Sequence, residues 1–115
     1  MFVHHPGFVA DWYEMGLDDD DLRLVEVMLM TGPTANPVMP GTGGLRKLRF
    51  SSSKWKHGKS GGARVLYAHF PEQSVLYLIA AYPKSQQDNI TKAEKNGIKA
   101  LLKSIQAKLE EGSYA

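Results

Sequence analysis

The segment 51–62 combines cations with an aromatic ring in a way that suits contact with nucleic acid. Its charged and aromatic side chains are Lys54, Trp55, Lys56, His57 and Lys59. Cations can meet phosphates while an indole ring stacks on a base, which is a common way to hold a single strand. A polar, glycine-rich composition between two apolar runs predicts a basic loop. The same composition also suits a solvated loop whose Trp55 folds back onto the core.

Arg64 begins the apolar run that follows this segment. A strand backbone would hold its guanidinium firmly, as a phosphate clamp requires, although an ordinary arginine paired with an acid is the alternative. Tyr67 lies on the same side of that strand as Val65 and fits either the core or a cleft. Tyr82 and Lys84 end the next run, where they either project into the site or have structural and solvated roles.

Three apolar runs predict the strands that carry these side chains, namely 45–50, 64–70 and 74–82. They are rich in strand-forming residues, and the short turn 71–73 predicts that the last two pair as an antiparallel hairpin. A further short strand fits 2–4. The stretch 31–44 contains many glycine and proline residues and is predicted to be a connecting loop.

Helix signals flank the predicted strands. An apolar stretch at 8–13 predicts a brief helix that Gly16 ends. Asp18 is the predicted N-cap of a second helix, and Thr91 with Glu94 forms a capping box for a C-terminal helix. The second helix is expected to bury four residues, and the methionine pair 28 and 30 is interpreted as core. The expected buried residues are Leu22, Val25, Met28 and Leu29.

These elements predict an α+β fold in which a small antiparallel sheet of three to four strands packs with two N-terminal helices and a C-terminal helix. The helices are expected to cover one face of the sheet. A length of 115 residues with 43% hydrophobic content predicts one domain spanning residues 1–115.

The basic residues are concentrated in one part of the chain although the net charge is only +2. No acidic residue lies between Glu26 and Glu72, and seven of the fourteen lysines and arginines fall between Arg46 and Arg64. This segregation predicts a local positive field that suits RNA. Lys47 and Arg49 belong to this group, and we expect both, like Arg46, to contact RNA.

The sequence lacks the signals of a membrane, disulfide or metal protein. No apolar run is long enough to cross a bilayer, and the chain has no cysteine. The four histidines do not have the spacing of a metal-binding helix. We therefore expect a cytoplasmic protein without a metal or other cofactor.

Three motifs in order and spacing resemble the HigB branch of the RelE/ParE toxin superfamily. They are GTGGLRKLR at 41–49, GGARVLY at 61–67 and YLIAAYPK at 77–84, and the resemblance extends from roughly residue 17 to residue 109. It implies a toxin of a type II toxin-antitoxin system that acts as a ribosome-dependent mRNA endoribonuclease. The substrate's own 2′-hydroxyl would attack the adjacent phosphate, without a metal, and leave a 2′,3′-cyclic phosphate.

The resemblance also assigns roles to residues. Arg64 would stabilise the phosphate, Lys54, Lys56 and His57 are candidates for the catalytic set, and Lys84 follows the last strand where relatives carry another cation. Trp55, Lys59, Tyr67 and Tyr82 would bind RNA. Many relatives carry an arginine after that lysine, whereas Ser85 stands here, so His57 and the lysines all remain candidates for the general acid and base.

The implied partners are a cognate antitoxin, the ribosome and mRNA. The antitoxin is expected to carry a helix-turn-helix domain, so that operator DNA is contacted only through it. Two alternatives are a non-catalytic nucleic-acid-binding relative and a gyrase inhibitor of the same superfamily, because one fold supports several activities.

Overall fold

The computed structural model describes residues 1–52, 62–86 and 90–112 of the chain. Three helices and a four-stranded sheet lie in these ranges, which confirms the predicted α+β class. The elements in chain order are β1 (Phe2–His4), α1 (Pro6–Glu14), α2 (Asp19–Thr31), β2 (Leu45–Phe50), β3 (Ala63–Phe70), a 3₁₀ turn (Pro71–Gln73), β4 (Val75–Pro83) and α3 (Lys92–Glu110).

The sheet has the strand order β1-β4-β3-β2. Strands β2, β3 and β4 are antiparallel neighbours, as the sequence predicts. Strand β1 adds to the outer side of β4 in parallel, with Phe2 opposite Leu76, so the complete sheet is mixed. A parallel neighbour requires a long crossover rather than a tight turn, and the whole chain from α1 to β3 separates these two strands.

The predicted capping residues begin the helices. Asp18 caps α2 and Thr91 caps α3, each within a reciprocal capping box. The imidazole Nδ1 of His5 accepts a hydrogen bond from the Gly7 amide at the start of α1. Gly16 follows α1 with a φ of 81°, a left-handed conformation that glycine adopts without steric cost. No helix in the described ranges has the length and apolar character needed to cross a bilayer.

Helices cover both faces of the sheet. Helices α1 and α2 pack on the face that presents Leu48, Val65 and Leu78. Helix α3 packs on the opposite face, where Leu102 and its apolar neighbours meet the other side chains of β3 and β4. The expectation of helices on one face only is therefore wrong. Both central strands are almost continuously apolar, and such strands need cover on both sides.

Helix α2 buries only a narrow stripe, which consists of Asp21, Val25 and Leu29. Met28 and Met30 have exposed fractions of 45% and 64%, so the interpretation of this pair as core is wrong. Residues four apart share one helix face, and the sheet lies against that face alone. Both methionines therefore lie on the part of the helix that faces away from the sheet.

Candidate active site

Arg64 lies in a row of three side chains that crosses the sheet at the end opposite the 3₁₀ turn. Its neighbours across the strands are Arg49 on β2 and Tyr82 on β4. Ala63 and Val65 belong to the core beneath α1 and α2. Because successive strand residues point to opposite faces, the row projects from the face that carries α3.

The pairing of two arginines makes this row suitable for an anion. Side chains directly opposite in an antiparallel pair have Cβ atoms about 5 Å apart, and like charges at that separation repel. Arg49 is exposed and makes no ion pair within the described ranges. Arg64 is only 7% exposed, and its Nη1 lies 3.3 Å from the Ala63 carbonyl oxygen. A phosphate between the two guanidinium groups would relieve the repulsion and accept hydrogen bonds from both.

Two lysines extend this positive region. Lys47 lies two residues before Arg49 and therefore on the same face of β2. Lys84 is exposed just beyond β4, and its backbone amide donates to the Gly62 carbonyl oxygen at 2.9 Å. The structure thus gathers five of the predicted site residues at one end of the sheet. The predicted loop residues Lys54, Trp55, Lys56, His57 and Lys59 lie outside the described residues.

A groove along the outer edge of β2 continues from the two cations of that strand. Its volume is about 510 Å³, and Lys47 and Arg49 line one side of it. Met28 on α2 and Val38 in the chain before β2 line the other. This combination of cationic and apolar walls suits a strand of nucleic acid whose phosphates face one side and whose bases face the other.

Arg46 and Tyr67 lie on the opposite face of the sheet from Arg64. Arg46 Nη1 donates to the carbonyl oxygens of Thr34 and Asn36 at 3.3 and 2.6 Å. The Tyr67 side chain is fully buried, and its hydroxyl donates to the Pro33 carbonyl oxygen at 3.1 Å. The expectation that Tyr67 contacts RNA is therefore wrong, because its side chain is fully buried. Arg46 is half-buried and faces away from Arg64, and its contact with RNA stays a prediction. Strand alternation turns both inward, where they fasten the connection between α2 and β2.

Tyr67→Phe tests this structural role. Removing the hydroxyl leaves the Pro33 carbonyl oxygen without its donor, and we expect the free energy of unfolding to fall by about 1 kcal/mol. RNA cleavage per folded molecule should stay at the wild-type value. Urea unfolding and a cleavage assay on the same preparation measure both quantities. A loss of cleavage with unchanged stability would instead indicate that Tyr67 contributes to RNA binding.

His69 also faces α1 and α2, on the side of β3 that carries Tyr67 and Val65. Burial lowers the pKa of His69 below 6.5, and the nearby positive charge of Arg46 lowers the pKa further. Both effects disfavour the imidazolium form. Among the described residues, no group of three potential ligands is placed to hold a metal ion.

The lowered pKa of His69 predicts a stability that declines in mild acid. The unfolded chain binds a proton on this residue near pH 6.5, before the folded chain does, so unfolding takes up protons in that window. The contribution of neutral His69 to the free energy of unfolding is fully present above pH 6.5. It is lost as the pH drops toward the folded-state pKa. His69→Gln should show a smaller difference in unfolding free energy between pH 7.5 and pH 5.5 than the wild type. Equal differences would contradict the assignment.

Asp21 and Ser52 are two further residues that the sequence analysis does not single out. Ser52 Oγ donates to Asp21 Oδ1 at 2.9 Å, and the two side chains join α2 to the end of β2. Both are buried. The available signal is the position of Asp21, which shares the apolar stripe of Val25 and Leu29 at four-residue spacing.

Comparison with known proteins identifies relatives of this architecture. A family model described as "RelE toxin of RelE / RelB toxin-antitoxin system" matches residues 41–112, which is more than half of the chain. The crystal structure of the isolated Escherichia coli RelE toxin is similar, with a TM-score of 0.54 and 16% identity over 88% of this chain and 97% of that chain. A double mutant of E. coli toxin RelE in the free state gives 0.53 and 17% over 89% and 95%. At these identities the structural match establishes the fold.

Proposed function

Since the chain belongs to the RelE toxin family, we propose that this toxin cuts messenger RNA on the ribosome and so inhibits translation. The observation that carries the proposal is the pair formed by Arg49 and Arg64 on one face of the sheet, with Tyr82 beside them. Two guanidinium groups in adjacent strands fit the non-bridging oxygens of a phosphodiester. The neighbouring Lys47 and the groove along β2 extend this surface in the direction of a bound strand.

The proposed reaction uses a nucleophile that the RNA itself supplies. The 2′-oxygen gives up its proton to a base and forms a bond to the adjacent phosphorus, while the bond from phosphorus to the 5′-oxygen breaks. The leaving 5′-oxygen takes a proton from an acid, and a 2′,3′-cyclic phosphate remains. Extra negative charge develops on the phosphoryl oxygens in the transition state, and Arg64 and Arg49 would stabilise it.

The identity of the proton carriers stays a prediction. Lys54, Lys56 and His57 are the candidates within the basic segment, and Lys84 is the candidate at the end of β4. An imidazole such as that of His57 can exchange a proton near neutral pH without any shift of its pKa. A lysine of the basic segment can do so only if neighbouring cations lower its pKa. We propose that no metal or other cofactor takes part, since the RNA supplies its own nucleophile next to the phosphorus.

Membership in the family implies a cognate antitoxin. We propose that this antitoxin carries a helix-turn-helix domain, that operator DNA is contacted through it alone, and that the complex is cytoplasmic. We further propose that the chain falls within the HigB branch, on the motifs at 41–49 and 77–84. An adjacent reading frame for a short helix-turn-helix protein would support both statements.

Incubation of the purified chain with translating ribosomes tests the activity. We expect new mRNA ends within codons, and we expect the upstream fragments to carry 2′,3′-cyclic phosphates. Naked RNA under the same conditions should be cut far more slowly. Intact mRNA on the translating ribosomes would contradict the proposal. DNA damage with intact transcripts, observed after induction in cells, would favour gyrase inhibition instead.

A further inference from the structure

The carboxylate of Asp21 is a buried acid at the start of α2. It is 2% exposed, Ser52 Oγ donates to its Oδ1 at 2.9 Å, and the Asp18 amide donates to its Oδ2 at 3.3 Å. Ser52 lies 31 positions away along the chain and is also buried. This hydrogen bond therefore links the corner between α1 and α2 to the far end of β2.

Helix capping alone does not account for the burial of this carboxylate. Asp18 already accepts a hydrogen bond from the Asp21 amide at 2.9 Å and so supplies the N-cap. An acid in the first turn of a helix interacts favourably with the helix dipole while it stays hydrated. Withdrawing the charge from water is unfavourable unless specific donors compensate for it. The Asp18 amide and the Ser52 hydroxyl are the two donors, and Ser52 is the one outside the helix cap. The buried hydrogen bond therefore fixes the position of Ser52 relative to Asp21, and the carboxylate loses its hydration in return.

The corner between α1 and α2, which carries Asp21, is packed against the core through Trp12. Trp12 is fully buried, and its Nε1 donates to the Asp18 carbonyl oxygen at 3.0 Å. The same indole packs against Phe50, with ring centroids 5.7 Å apart. The corner between the helices thus contacts the end of β2 twice, through an aromatic pair and through a hydrogen bond.

Ser52 lies beyond the last pair of the ladder between β2 and β3, which joins Phe50 to Ala63. Ser52 therefore lies outside the ladder of paired strand residues. The row of the candidate site lies one position before Phe50, at Arg49 opposite Arg64. In the sequence, Lys54 and Lys56 lie two and four positions after Ser52. The contact with Asp21 is thus made where the chain leaves the sheet beside the site.

We propose that Asp21 is a positioning residue of the ribonuclease site, which acts by holding the Ser52 hydroxyl and so fixing the end of β2 next to Arg49 and Arg64. The inference rests on the proposed function. Its physical basis is that a small displacement of a group that stabilises a transition state lowers the rate steeply, whereas substrate binding depends on many contacts spread over a surface.

Ser52→Ala tests the proposal in the full-length chain. We expect kcat for ribosome-dependent cleavage to fall by roughly tenfold or more, with KM for ribosomes changed by less than about threefold. Ser52→Thr retains the hydroxyl and should recover most of the lost kcat. Unfolding curves recorded for each variant ensure that rates are compared per folded molecule.

Thr42→Val is the matched control. Thr42 is fully buried just before the other end of β2, and its hydroxyl donates to the Met39 carbonyl oxygen at 2.7 Å. The variant therefore also removes a buried hydroxyl next to the same strand, with little change in side-chain shape, but far from the arginine row. It should lose stability while keeping the wild-type kcat.

The outcomes separate the inference from the proposed function. An active wild type with an unchanged kcat in Ser52→Ala overturns the inference alone, as does an equal loss in Thr42→Val. An inactive wild type overturns the proposed function and the inference with it. If Ser52→Ala does not fold, Asp21→Asn replaces it, because an amide of the same size offers one acceptor oxygen to two donors; an unchanged kcat there also overturns the inference.

Discussion

Arg64→Ala is expected to reduce ribosome-dependent mRNA cleavage by about 10²- to 10³-fold, the usual effect of removing one preorganised donor to a developing oxyanion. Arg64 as a whole residue is 7% exposed, so it meets a phosphate with little competing water. Its strand is central in the sheet and has neighbours on both sides, which fixes the backbone before substrate binds. The loss should therefore appear mainly in kcat, measured by single-turnover cleavage on programmed ribosomes.

Two further variants define this result. Arg64→Lys keeps the charge but lacks the planar fork, and we expect it to recover only part of the activity. Arg23→Ala removes an equal charge from the exposed surface of α2, on the other side of the sheet, and should cleave at the wild-type rate. Equal activity of Arg64→Ala and Arg23→Ala would show that net charge matters and that the arginine row does not.

Much of the fold follows from local signals. The N-caps Asp18 and Thr91 were predictable because capping depends on residues three apart in the sequence. The hairpin of β3 and β4 was predictable because a short turn connects two strand-like runs. The parallel pairing of β1 and the placement of α3 depend on contacts between distant segments, which hydrophobic periodicity does not encode.

The residues of the candidate site likewise include some that the sequence predicts correctly and some that it does not. Arg49, Arg64 and Tyr82 were identified by charge and position, and the structure places them in one row. Arg46 and Tyr67 satisfied the same criteria but face the other way. Residue type gives the chemistry of a side chain, whereas the register of the strands decides which face it occupies.

The contact between Asp21 and Ser52 illustrates what sequence reasoning misses most easily. An acidic run before a helix predicts a solvated first turn, and the run 18–21 fits that pattern. Only one member of the run turns inward, and its partner lies in a different element. The sequence signal of such a contact is a polar residue at a helix position where the pattern otherwise has buried apolar residues.

Gly62→Ala is expected to destabilise the protein more than a Gly→Ala change at any other described glycine. Gly62 has a φ of 76°, in the left-handed region, where any side chain costs about 1–2 kcal/mol. An added Cβ would also overlap the carbonyl oxygen of Phe50. Relief would require separation of β2 from β3 at their last pair, so we expect a further loss of about 1–3 kcal/mol.

Gly16→Ala separates these two contributions. Gly16 has a φ of 81°, but an added Cβ would have no neighbouring atom within 4 Å. This variant should therefore lose only the backbone contribution. The difference between the two variants in urea unfolding measures the close approach of Gly62 to Phe50, and equal losses would show that the strands tolerate the methyl group.

The same pair of variants should also differ in cleavage. Since the Gly62 carbonyl oxygen accepts from the Lys84 amide, Gly62→Ala should disturb Arg64 and Lys84 together and reduce cleavage per folded molecule. Gly16→Ala should not reduce it.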